Sequence, residues 1–493
     1  MSKILLNARE YEEKFGAYIC DEDRPVFHLS PRVGWMNDPN GLSFYNGQYH
    51  LFYQYHPYST KWGPMHWGHA VSRDLLQWEY LPAAIAPDTA YDRGGCFSGS
   101  AIELPDGRHL LLYTGVRHET GGDGKERDIQ TQCVAVGDGL NYEKYDGNPV
   151  LDGKDIPEGF SIHDFRDPKI FRKEDGGFGC VVGNRTGDGS GAVLLFGSKD
   201  GFRWQFESVL DRSRNELGRM WECPDMFRLD DRDVILTSPQ DMQAMGLEFH
   251  SGNCTMALMG RITEGNFLRE QVQAIDYGLD FYAPQTLQTP DGRRVMIGWM
   301  QNWDTVSLCP DDARWFGQMT TPRELTIREG RLIQNPVREL DALHGRRVAY
   351  QNVPVHEEVS LTGVYGRVAD ITVTVKPADE AGFEMFRVKF AKDSQHYASL
   401  TYHTGTSTLR LSRTHAGFTK DVVHERTCLV ANRGGEIKLR IILDRYSAEV
   451  FVNDGQQALT MTFLTPRTAD GISFACSGQA LINVEQYDIL TAR

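Results

Sequence analysis

The stretch Trp35-Met36-Asn37-Asp38-Pro39-Asn40-Gly41 decides the interpretation of this chain. It combines Asn-Asp, Asp-Pro and Asn-Gly, and all three pairs favour turns. The residues that follow, Leu42 to Tyr55, are typical of two strands joined by a tight turn at Asn46-Gly47. The sequence therefore predicts a turn over residues 35–41 that holds the carboxylate of Asp38 at the mouth of a β-hairpin.

Most of the chain from Pro25 to Asn335 has the spacing of an all-β protein. Short apolar runs alternate with turns rich in Gly, Asp and Asn, and almost nothing follows the helical period. We therefore expect strands that include Leu110–Tyr113, Gln132–Val136, Ala192–Phe196, Asp233–Leu236 and Val295–Trp299.

A weak internal repeat runs through the same region. Ser72-Arg73-Asp74-Leu75-Leu76-Gln77-Trp78-Glu79 is echoed by Ser198-Lys199-Asp200-Gly201-Phe202-Arg203-Trp204-Gln205, with a looser copy at 137–143. The offset of roughly 60 to 65 residues fits a four-stranded unit with long loops. About five such units fill the region, and radial repetition of four-stranded sheets makes a β-propeller. We therefore predict a five-bladed β-propeller over residues 25–335.

The two ends of the chain differ from this central region. Residues 1–24 are predicted to be a helical segment, because apolar residues recur at Leu5, Ala8, Tyr11, Phe15 and Tyr18. Residues 336–345 are predicted to be a short linker helix. From 346 to 493 we predict a C-terminal β-sandwich, with alternating strands at Asp370–Val375 and 436–441 and a hairpin turn at Asn453-Asp454-Gly455.

Composition limits the possible partners and the compartment. The 493 residues carry a net charge of −15, which argues against nucleic acid or an anionic membrane as a partner. Neither a membrane-length apolar run nor a signal-peptide core is apparent. Nine scattered cysteines without a C-x-x-C pair fit a reducing compartment. We therefore expect a cytoplasmic protein with a small-molecule partner; its oligomeric state is open.

Two further carboxylates lie in motifs that resemble the Asp38 stretch. Glu222 follows Trp221 and precedes Cys223-Pro224, an apolar setting that disfavours the charged form and suits a general acid. Asp38 lies among Asn side chains and turn N–H groups, which favour its ionised form. Asp167, in Arg166-Asp167-Pro168, has a guanidinium beside it and can bind vicinal hydroxyls. Carboxyls in contrasting environments are typical of acid and nucleophile roles.

Side chains suited to a sugar substrate accompany these carboxylates. Candidate hydrogen-bonding groups are Gln54, Ser98 and Ser100, and candidate stacking surfaces are Trp35, Trp62, Trp67, Phe97, Tyr282, Trp299 and Trp303. His66 and His69 are a weak candidate for a metal site, because no third ligand lies nearby in sequence. We therefore expect no metal and no organic cofactor.

Taken together, these motifs resemble glycoside hydrolase family 32, whose members include invertases, sucrose-6-phosphate hydrolases and fructan hydrolases. The resemblance rests on Trp-Met-Asn-Asp-Pro-Asn-Gly at 35–41, Phe-Ser-Gly-Ser at 97–100, Arg-Asp-Pro at 166–168 and Glu-Cys-Pro at 222–224. It extends to 280–285 and to 448–455, and so covers nearly the whole chain. The order and spacing of the motifs are more specific than any single tripeptide.

The resemblance implies a five-bladed propeller joined to a β-sandwich, with a funnel-shaped site on the propeller axis. It implies that Asp38 is the nucleophile, that Glu222 is the general acid and base, and that Asp167 binds the fructosyl hydroxyls. It further implies substrate contacts from Asn37, Gln54, Trp62, Phe97, Ser98, Arg166 and Tyr282. We predict that Trp35, a candidate stacking residue, also binds the substrate.

The implied activity is retaining hydrolysis of a β-fructofuranoside, sucrose or sucrose 6-phosphate, with fructo-oligosaccharides as the alternative substrates. Two rivals are an inverting glycosidase of the arabinosidase or xylosidase type and a non-catalytic carbohydrate-binding protein. A phosphorylated substrate needs local positive charge. The sequence offers Lys61, Arg93, Arg117, His118 and Arg185 as conceivable donors.

Overall fold

The computed structural model describes residues 1–490. Most of its regular secondary structure is β-strand. About 54% of the chain is strand and 5% is helix, so the predicted all-β class is confirmed. One α-helix, α1, spans Lys3–Gly16 within the predicted helical segment. Short 3₁₀ helices lie at Asp21–Asp23, Val306–Leu308 and Arg338–Leu343, the last inside the predicted linker helix. Across residues 1–490, no helix has both the length and the apolar character needed to cross a membrane.

The first 336 residues contain 21 strands in chain order. They are β1 (Gly34–Tyr45), β2 (Gln48–His56), β3 (His66–Ser72), β4 (Trp78–Ile85), β5 (Gly95–Glu103), β6 (His109–Thr120), β7 (Glu126–Gly137), β8 (Tyr142–Lys144), β9 (Arg166–Arg172), β10 (Phe178–Arg185), β11 (Gly191–Ser198), β12 (Trp204–Arg212), β13 (Trp221–Leu229), β14 (Arg232–Pro239), β15 (Met256–Thr263), β16 (Asn266–Ala274), β17 (Tyr282–Gln288), β18 (Arg294–Trp299), β19 (Trp315–Phe316), β20 (Arg323–Arg328) and β21 (Arg331–Pro336). All five strands predicted in this region lie within these bounds.

Within the described residues these strands form five separate sheets. Their orders are β19-β1-β2-β3-β4, β5-β6-β7-β8, β12-β11-β10-β9, β13-β14-β15-β16 and β17-β18-β20-β21. The first strands of the five sheets touch one another in sequence, from β1 through β5, β9, β13 and β17 back to β1. The five sheets therefore surround a common centre lined by β1, β5, β9, β13 and β17.

The repeated Ser-x-Asp phrase marks the same turn in different sheets. Asp74 and Asp200 each accept backbone N–H bonds from residues two and three positions further on, at the connection from the third to the fourth strand. Asp138 does the same in the looser copy. The repeat is therefore structural, because each copy closes one sheet with an Asx turn.

The prediction of a turn over residues 35–41 is wrong. β1 runs through the whole stretch and pairs with β2, and the register shifts between Met36 and Pro39 and again between Asn40 and Ser43. Two irregularities in one strand thus accommodate residues that prefer turns, and Gly41 takes a φ of 55°. The hairpin turn at Asn46-Gly47 is confirmed, with both residues at positive φ.

Two further sheets are built from the C-terminal residues. Their strands are β22 (His344–Val355), β23 (Ala369–Pro377), β24 (Phe383–Lys392), β25 (Tyr397–His403), β26 (Thr408–His415), β27 (Glu425–Leu429), β28 (Ile437–Asp444), β29 (Ser447–Val452), β30 (Gln457–Thr462), β31 (Gly471–Gly478) and β32 (Ala480–Ile489). The sheet orders are β22-β32-β23-β28-β29-β30 and β27-β26-β25-β24-β31. Alternate residues such as Val373, Leu439, Leu400 and Phe474 are buried in one shared core.

Buried charges join the C-terminal sheets to the rest of the molecule. Arg323 is fully buried and donates to Glu449 on β29 at 2.6 Å and to Asp276 at 3.1 Å. His28 lies between two carboxylates, 2.8 Å from Asp444 and 3.0 Å from Glu449. Because each buried carboxylate has a cationic partner, the desolvation cost of these charges is compensated.

The charge on His28 is stabilised by its position. Burial alone would lower the pKa of His28, but the hydrogen bonds to Asp444 and Glu449 outweigh it and raise that pKa to about 9. The folded protein therefore holds a proton on His28 more tightly than the unfolded chain does, whose His pKa is about 6.5. This contribution to stability is complete below about pH 6.5 and is lost as the pH rises through about 9.

Replacing His28 with Gln should destabilise the protein in a pH-dependent way. The difference in the free energy of unfolding between His28→Gln and wild type should shrink by about 3 kcal/mol between pH 6 and pH 10. Urea unfolding followed by tryptophan fluorescence at both pH values measures it. His356→Gln, at an exposed position, is the matched control. A destabilisation by His28→Gln that is the same at both pH values would contradict a charged His28.

Candidate active site

The candidate catalytic residues lie where the five central strands are interrupted. The register with the partner strand breaks at Asn37-Asp38-Pro39, Phe97-Ser98-Gly99, Arg166-Asp167-Pro168, Glu222-Cys223-Pro224 and Tyr282-Ala283-Pro284. These triplets recur about every 60 residues, once in each sheet. Proline lacks the N–H needed for strand pairing, so four of the five breaks fall where the ladder cannot continue.

Three of these breaks contain a left-handed residue directly before the proline. The φ angles are 65° at Asp167, 47° at Cys223 and 50° at Ala283. Such conformations cost about 1–2 kcal/mol each in residues other than glycine. They interrupt the alternation of side chains along a regular strand, so that consecutive side chains can reach the same space.

Asp38 has one bound and one free carboxylate oxygen. The Ser98 hydroxyl donates to Oδ2 at 2.7 Å, and the thiol of Cys223 lies 3.4 Å from the same oxygen. Oδ1 is buried and has no hydrogen-bond partner among residues 1–490. Burial raises the pKa of Asp38, and the charge of Glu222 adds to this effect, whereas the Ser98, Asn37 and Cys223 side chains lower that pKa by less. The predicted effect of the Asn side chains is present at Asn37, but the pKa of Asp38 is raised on balance, so its surroundings as a whole do not favour the ionised form.

Both oxygens of Glu222 accept hydrogen bonds. Arg166 donates to Oε1 from Nε at 3.1 Å and from Nη2 at 2.9 Å, and the Tyr282 hydroxyl donates to Oε2 at 2.7 Å. Burial raises the pKa of Tyr282 well above its ordinary value, and the charge of Glu222 adds to this, so the phenol remains a donor. The prediction of an apolar setting for Glu222 is wrong, because its carboxylate meets residues of β9 and β17.

Asp167 is held by the backbone of the neighbouring strand. The Cys223 N–H donates to its Oδ2 at 2.9 Å, and its own N–H donates to the Thr114 hydroxyl at 2.9 Å. Arg166 Nε lies 3.9 Å from the same carboxylate. Burial raises the pKa of Asp167, and Arg166 partly offsets this effect. Cys223 thus links two carboxylates, through its thiol to Asp38 and through its N–H to Asp167.

Two of the predicted stacking residues, Trp62 and Phe97, keep exposed surface beside the three carboxylates. Trp62 is 49% exposed, and its ring meets the half-buried ring of Phe97 edge to face at 5.9 Å. An exposed indole and an adjacent phenyl ring offer an apolar surface to the face of a sugar.

Of the other predicted tryptophans, Trp35, Trp67 and Trp299 are buried and Trp303 is half-buried. Trp67 and Trp299 have no exposed surface, so these two candidates are core residues and not stacking platforms. Trp35 is 3% exposed; its indole N–H donates to the Asn37 side chain at 2.6 Å, and its ring stacks on Trp303. Trp35 therefore orients Asn37 within the site.

Two predicted polar residues are committed to the backbone. The Gln54 amide donates to the carbonyl of Cys96 at 2.9 Å, and the Ser100 hydroxyl donates to the carbonyl of Pro168 at 2.7 Å. Gln54 thereby ties β2 to β5, and Ser100 ties β5 to β9.

The histidines considered as metal ligands have other partners. His66 Nδ1 lies 3.0 Å from the carbonyl of Pro64, and His69 Nε2 lies 3.0 Å from His50 Nδ1. Within residues 1–490, a different group, Asp341, His344 and Asp370, brings three possible ligand atoms together. There Arg440 donates to Asp341 at 3.0 Å and to Asp370 at 2.6 Å, so a guanidinium already supplies the positive charge.

The conceivable phosphate donors divide into paired and unpaired cations. Arg117 pairs with Glu119, His118 with Asp128 and Arg185 with Asp164. Lys61 and Arg93 are exposed and form no ion pair within the described part of the chain. Three of the five candidate donors therefore already have an acidic partner.

Three side chains that sequence reasoning missed support the site. Arg166 Nη1 donates to Asp164 at 3.2 Å and to Gln130 at 3.3 Å, while Thr114 accepts from the Asp167 N–H. Asp164 is two residues from Arg166, so its position was a usable signal. Gln130 and Thr114 come from β7 and β6, and nothing in the sequence links them to Arg166-Asp167.

Comparison with known proteins gives family matches over nearly the whole chain. Residues 28–336 match the family described as "Glycosyl hydrolases family 32 N-terminal domain", and residues 339–489 match "Glycosyl hydrolases family 32 C terminal". A raffinose invertase of Escherichia coli is 37% identical over 488 residues, covering 98% of each chain. A sucrose-6-phosphate hydrolase of Zymomonas mobilis is 35% identical, covering 92% of this chain and 89% of its own.

Solved structures agree with these matches. A family 32 beta-fructofuranosidase of Bombyx mori superposes with a TM-score of 0.85 at 32% identity, covering 99% of each chain. A mutant of that enzyme in complex with sucrose gives a TM-score of 0.84 at 31% identity, again over 99% of each chain.

Proposed function

Because this chain belongs to glycoside hydrolase family 32, we propose that it hydrolyses terminal β-D-fructofuranosides and releases fructose. Relatives named raffinose invertase and sucrose-6-phosphate hydrolase, and a beta-fructofuranosidase structure holding sucrose, support a small saccharide substrate. A levanase of Bacillus subtilis at 34% identity keeps fructans as an alternative substrate class.

The proposal includes the finer architecture. Residues 25–335 form a five-bladed propeller, supported by five sheets whose first strands make a closed ring. Residues 346–493 form a β-sandwich, supported by two sheets around one core through residue 490. Residues 1–24 are an N-terminal helical segment and 336–345 a linker, in agreement with the helix bounds and with the break between the two family matches.

The free oxygen of Asp38 is the observation that carries the mechanism. A nucleophilic carboxylate needs an oxygen that is near the substrate and not committed to another donor. Oδ1 of Asp38 is such an oxygen, while Ser98 and Cys223 fix the other one. We assign Asp38 as the nucleophile that attacks the anomeric carbon of fructose.

Glu222 is the general acid and base in this mechanism. It protonates the bridging oxygen as Asp38 attacks, and the bond from fructose to the leaving group breaks. It then takes a proton from the water that releases fructose from Asp38. Arg166 and Tyr282 hold Glu222 in one orientation through both steps.

Asp167 stabilises the transition state by accepting hydrogen bonds from fructosyl hydroxyls. Its buried carboxylate is oriented by the Cys223 N–H. The proposed substrate contacts comprise the aromatic pair and the polar groups around the carboxylates: Trp35, Asn37, Gln54, Trp62, Phe97, Ser98, Arg166 and Tyr282.

The stereochemistry of the product tests the function. Double displacement through Asp38 should release fructose first as the β-anomer, which ¹H NMR detects in fresh sucrose digests before the anomers equilibrate. Initial release of the α-anomer would contradict a covalent intermediate and favour the inverting rival, whose carboxyls are about 6.5–9.5 Å apart rather than about 5–5.5 Å. If the protein cleaves none of sucrose, sucrose 6-phosphate, kestose and inulin, the result would favour a non-catalytic carbohydrate-binding protein.

Substitution of the two carboxylates should give different patterns. Asp38→Asn should abolish turnover of every fructoside, because the amide cannot act as nucleophile. Glu222→Gln should lower kcat/KM for sucrose by about 10²–10⁴, and by less for p-nitrophenyl β-fructofuranoside, whose leaving group needs no proton. Steady-state kinetics with both substrates measures the difference.

Asp231→Asn is the matched control for these two variants, because Asp231 is largely exposed in the turn between β13 and β14. It should keep wild-type rates. Turnover of sucrose by Asp38→Asn at the wild-type rate would overturn the assignment.

Ser98 should set the lower pH limit of activity. The Ser98 hydroxyl donates to Asp38 and so favours the ionised carboxylate, which lowers the pKa of Asp38. Burial has the opposite effect and raises the same pKa. Ser98→Ala should therefore move the acid limb of the kcat/KM profile to higher pH by about 1 unit. Ser100→Ala, which removes a bond to a backbone carbonyl, should leave the limb in place. An unshifted limb in Ser98→Ala would contradict this role.

A further inference from the structure

An ion pair lies beside the general acid and has no role in the steps above. Asp164 Oδ2 is 2.8 Å from Arg185 Nη2, and Asp164 Oδ1 is 3.2 Å from Arg166 Nη1. Arg166 in turn holds Glu222 at 2.9 Å. A chain of three ion pairs thus leads from the carboxylate of Glu222 outward to Arg185.

The outer end of this chain is open to solvent. The side chain of Arg185 is 43% exposed, that of Asp164 16% and that of Arg166 10%. Arg185 ends β10 at the same end of the sheet as Arg166, because Gly183 pairs with Arg166 in the β9–β10 ladder. The backbone fixes this arrangement, since the Ser161 N–H donates to the Arg185 carbonyl at 3.0 Å.

Arg185 has unused hydrogen-bonding capacity. Its guanidinium carries five N–H donors, and among residues 1–490 its one ion pair is with Asp164. Asp164 also accepts from the Ser161 hydroxyl at 3.2 Å, which holds the carboxylate in place. This half-buried Asp–Arg pair offers acceptors and donors side by side, which suits the vicinal hydroxyls of a sugar.

We propose that Asp164 and Arg185 bind the sugar that leaves, and that this subsite prefers a neutral sugar to a phosphorylated one. The proposal rests on the proposed function, in which Glu222 protonates the bridging oxygen. The leaving sugar is attached to that oxygen, so it must lie on the Glu222 side of the site. Asp164 and Arg185 continue this side outward, because ion pairs join them to Arg166 and through it to Glu222.

The balance of charge favours a neutral leaving sugar. Arg166 and Arg185 contribute two positive charges, while Asp164, Asp167 and Glu222 form three carboxylates around them. The positive charge of Arg185 is therefore already paired with the carboxylate of Asp164, and the same carboxylate also pairs with Arg166. A phosphate would bring further negative charge into a cluster with no surplus of positive charge.

The test compares two substrates that differ only in the leaving group. Arg185→Ala should lower kcat/KM for sucrose about tenfold or more, because bonds to a charged donor are lost. It should change kcat/KM for p-nitrophenyl β-fructofuranoside by less than about twofold, since that leaving group has no hydroxyls. Arg185→Lys, which keeps the charge, should recover part of the activity on sucrose.

The matched control is Arg203→Ala, in the exposed turn at the opposite end of the same sheet. It should leave both substrates unaffected. Thermal unfolding of each variant verifies that the fold is intact. An equal loss on both substrates by Arg185→Ala would overturn the proposal, because Arg185 would then act on Glu222 through Asp164 and Arg166.

A second experiment compares sucrose with sucrose 6-phosphate as the substrate. Wild-type kcat/KM for sucrose should equal or exceed that for sucrose 6-phosphate, and Arg185→Ala should not selectively impair the phosphorylated substrate. A tenfold preference for sucrose 6-phosphate that disappears in Arg185→Ala would overturn the neutral-sugar proposal. Failure of the proposed function itself is distinguishable, because then wild type would not turn over p-nitrophenyl β-fructofuranoside.

Discussion

Three carboxylates, those of Asp38, Asp167 and Glu222, occupy one buried space, and their mutual repulsion is the constraint on the site. Burial and repulsion both act against ionisation, and they raise the pKa values of Asp38 and Asp167. The main compensating charge is the guanidinium of Arg166, and the charges of Glu222, Asp167 and Asp164 raise its pKa in spite of burial. The position of Arg166 therefore decides which carboxylates can carry charge together.

Arg166 can take this position because the central strands are irregular. In a regular strand Arg166 and Asp167 would point to opposite faces. Here both reach residues of β13, Arg166 through the Glu222 carboxylate and Asp167 through the Cys223 N–H. The left-handed conformation of Asp167, with proline after it, makes this possible. The cost of about 1–2 kcal/mol for that conformation is offset by the ion pair and hydrogen bond that it permits.

The sequence allowed the strands to be predicted far better than the environments of the site residues. Alternation and turn residues located β23 and the Asn46-Gly47 hairpin, because those signals are local. The local turn preference of residues 35–41 led to a wrong prediction, because the pairing of β1 with β2 outweighs that preference. Asp38 and Glu222 were judged by their neighbours in sequence, but Ser98 lies 60 residues from Asp38 and Arg166 lies 56 from Glu222. Only the assembled fold brings those partners together.

The C-terminal sheets influence the site from a distance. The segment that precedes β17 is fixed by them: Asp276 accepts from the Thr460 N–H of β30 at 2.9 Å, the Leu279 N–H donates to the Thr460 carbonyl at 2.7 Å, and Asp280 pairs with Arg413 of β26. Tyr282 follows two residues after Asp280 and donates to the second oxygen of Glu222. Because buried ion pairs and strand-like bonds anchor this segment, the register of β17 follows from contacts with the C-terminal sheets. The orientation of Glu222 thus depends on both parts of the molecule.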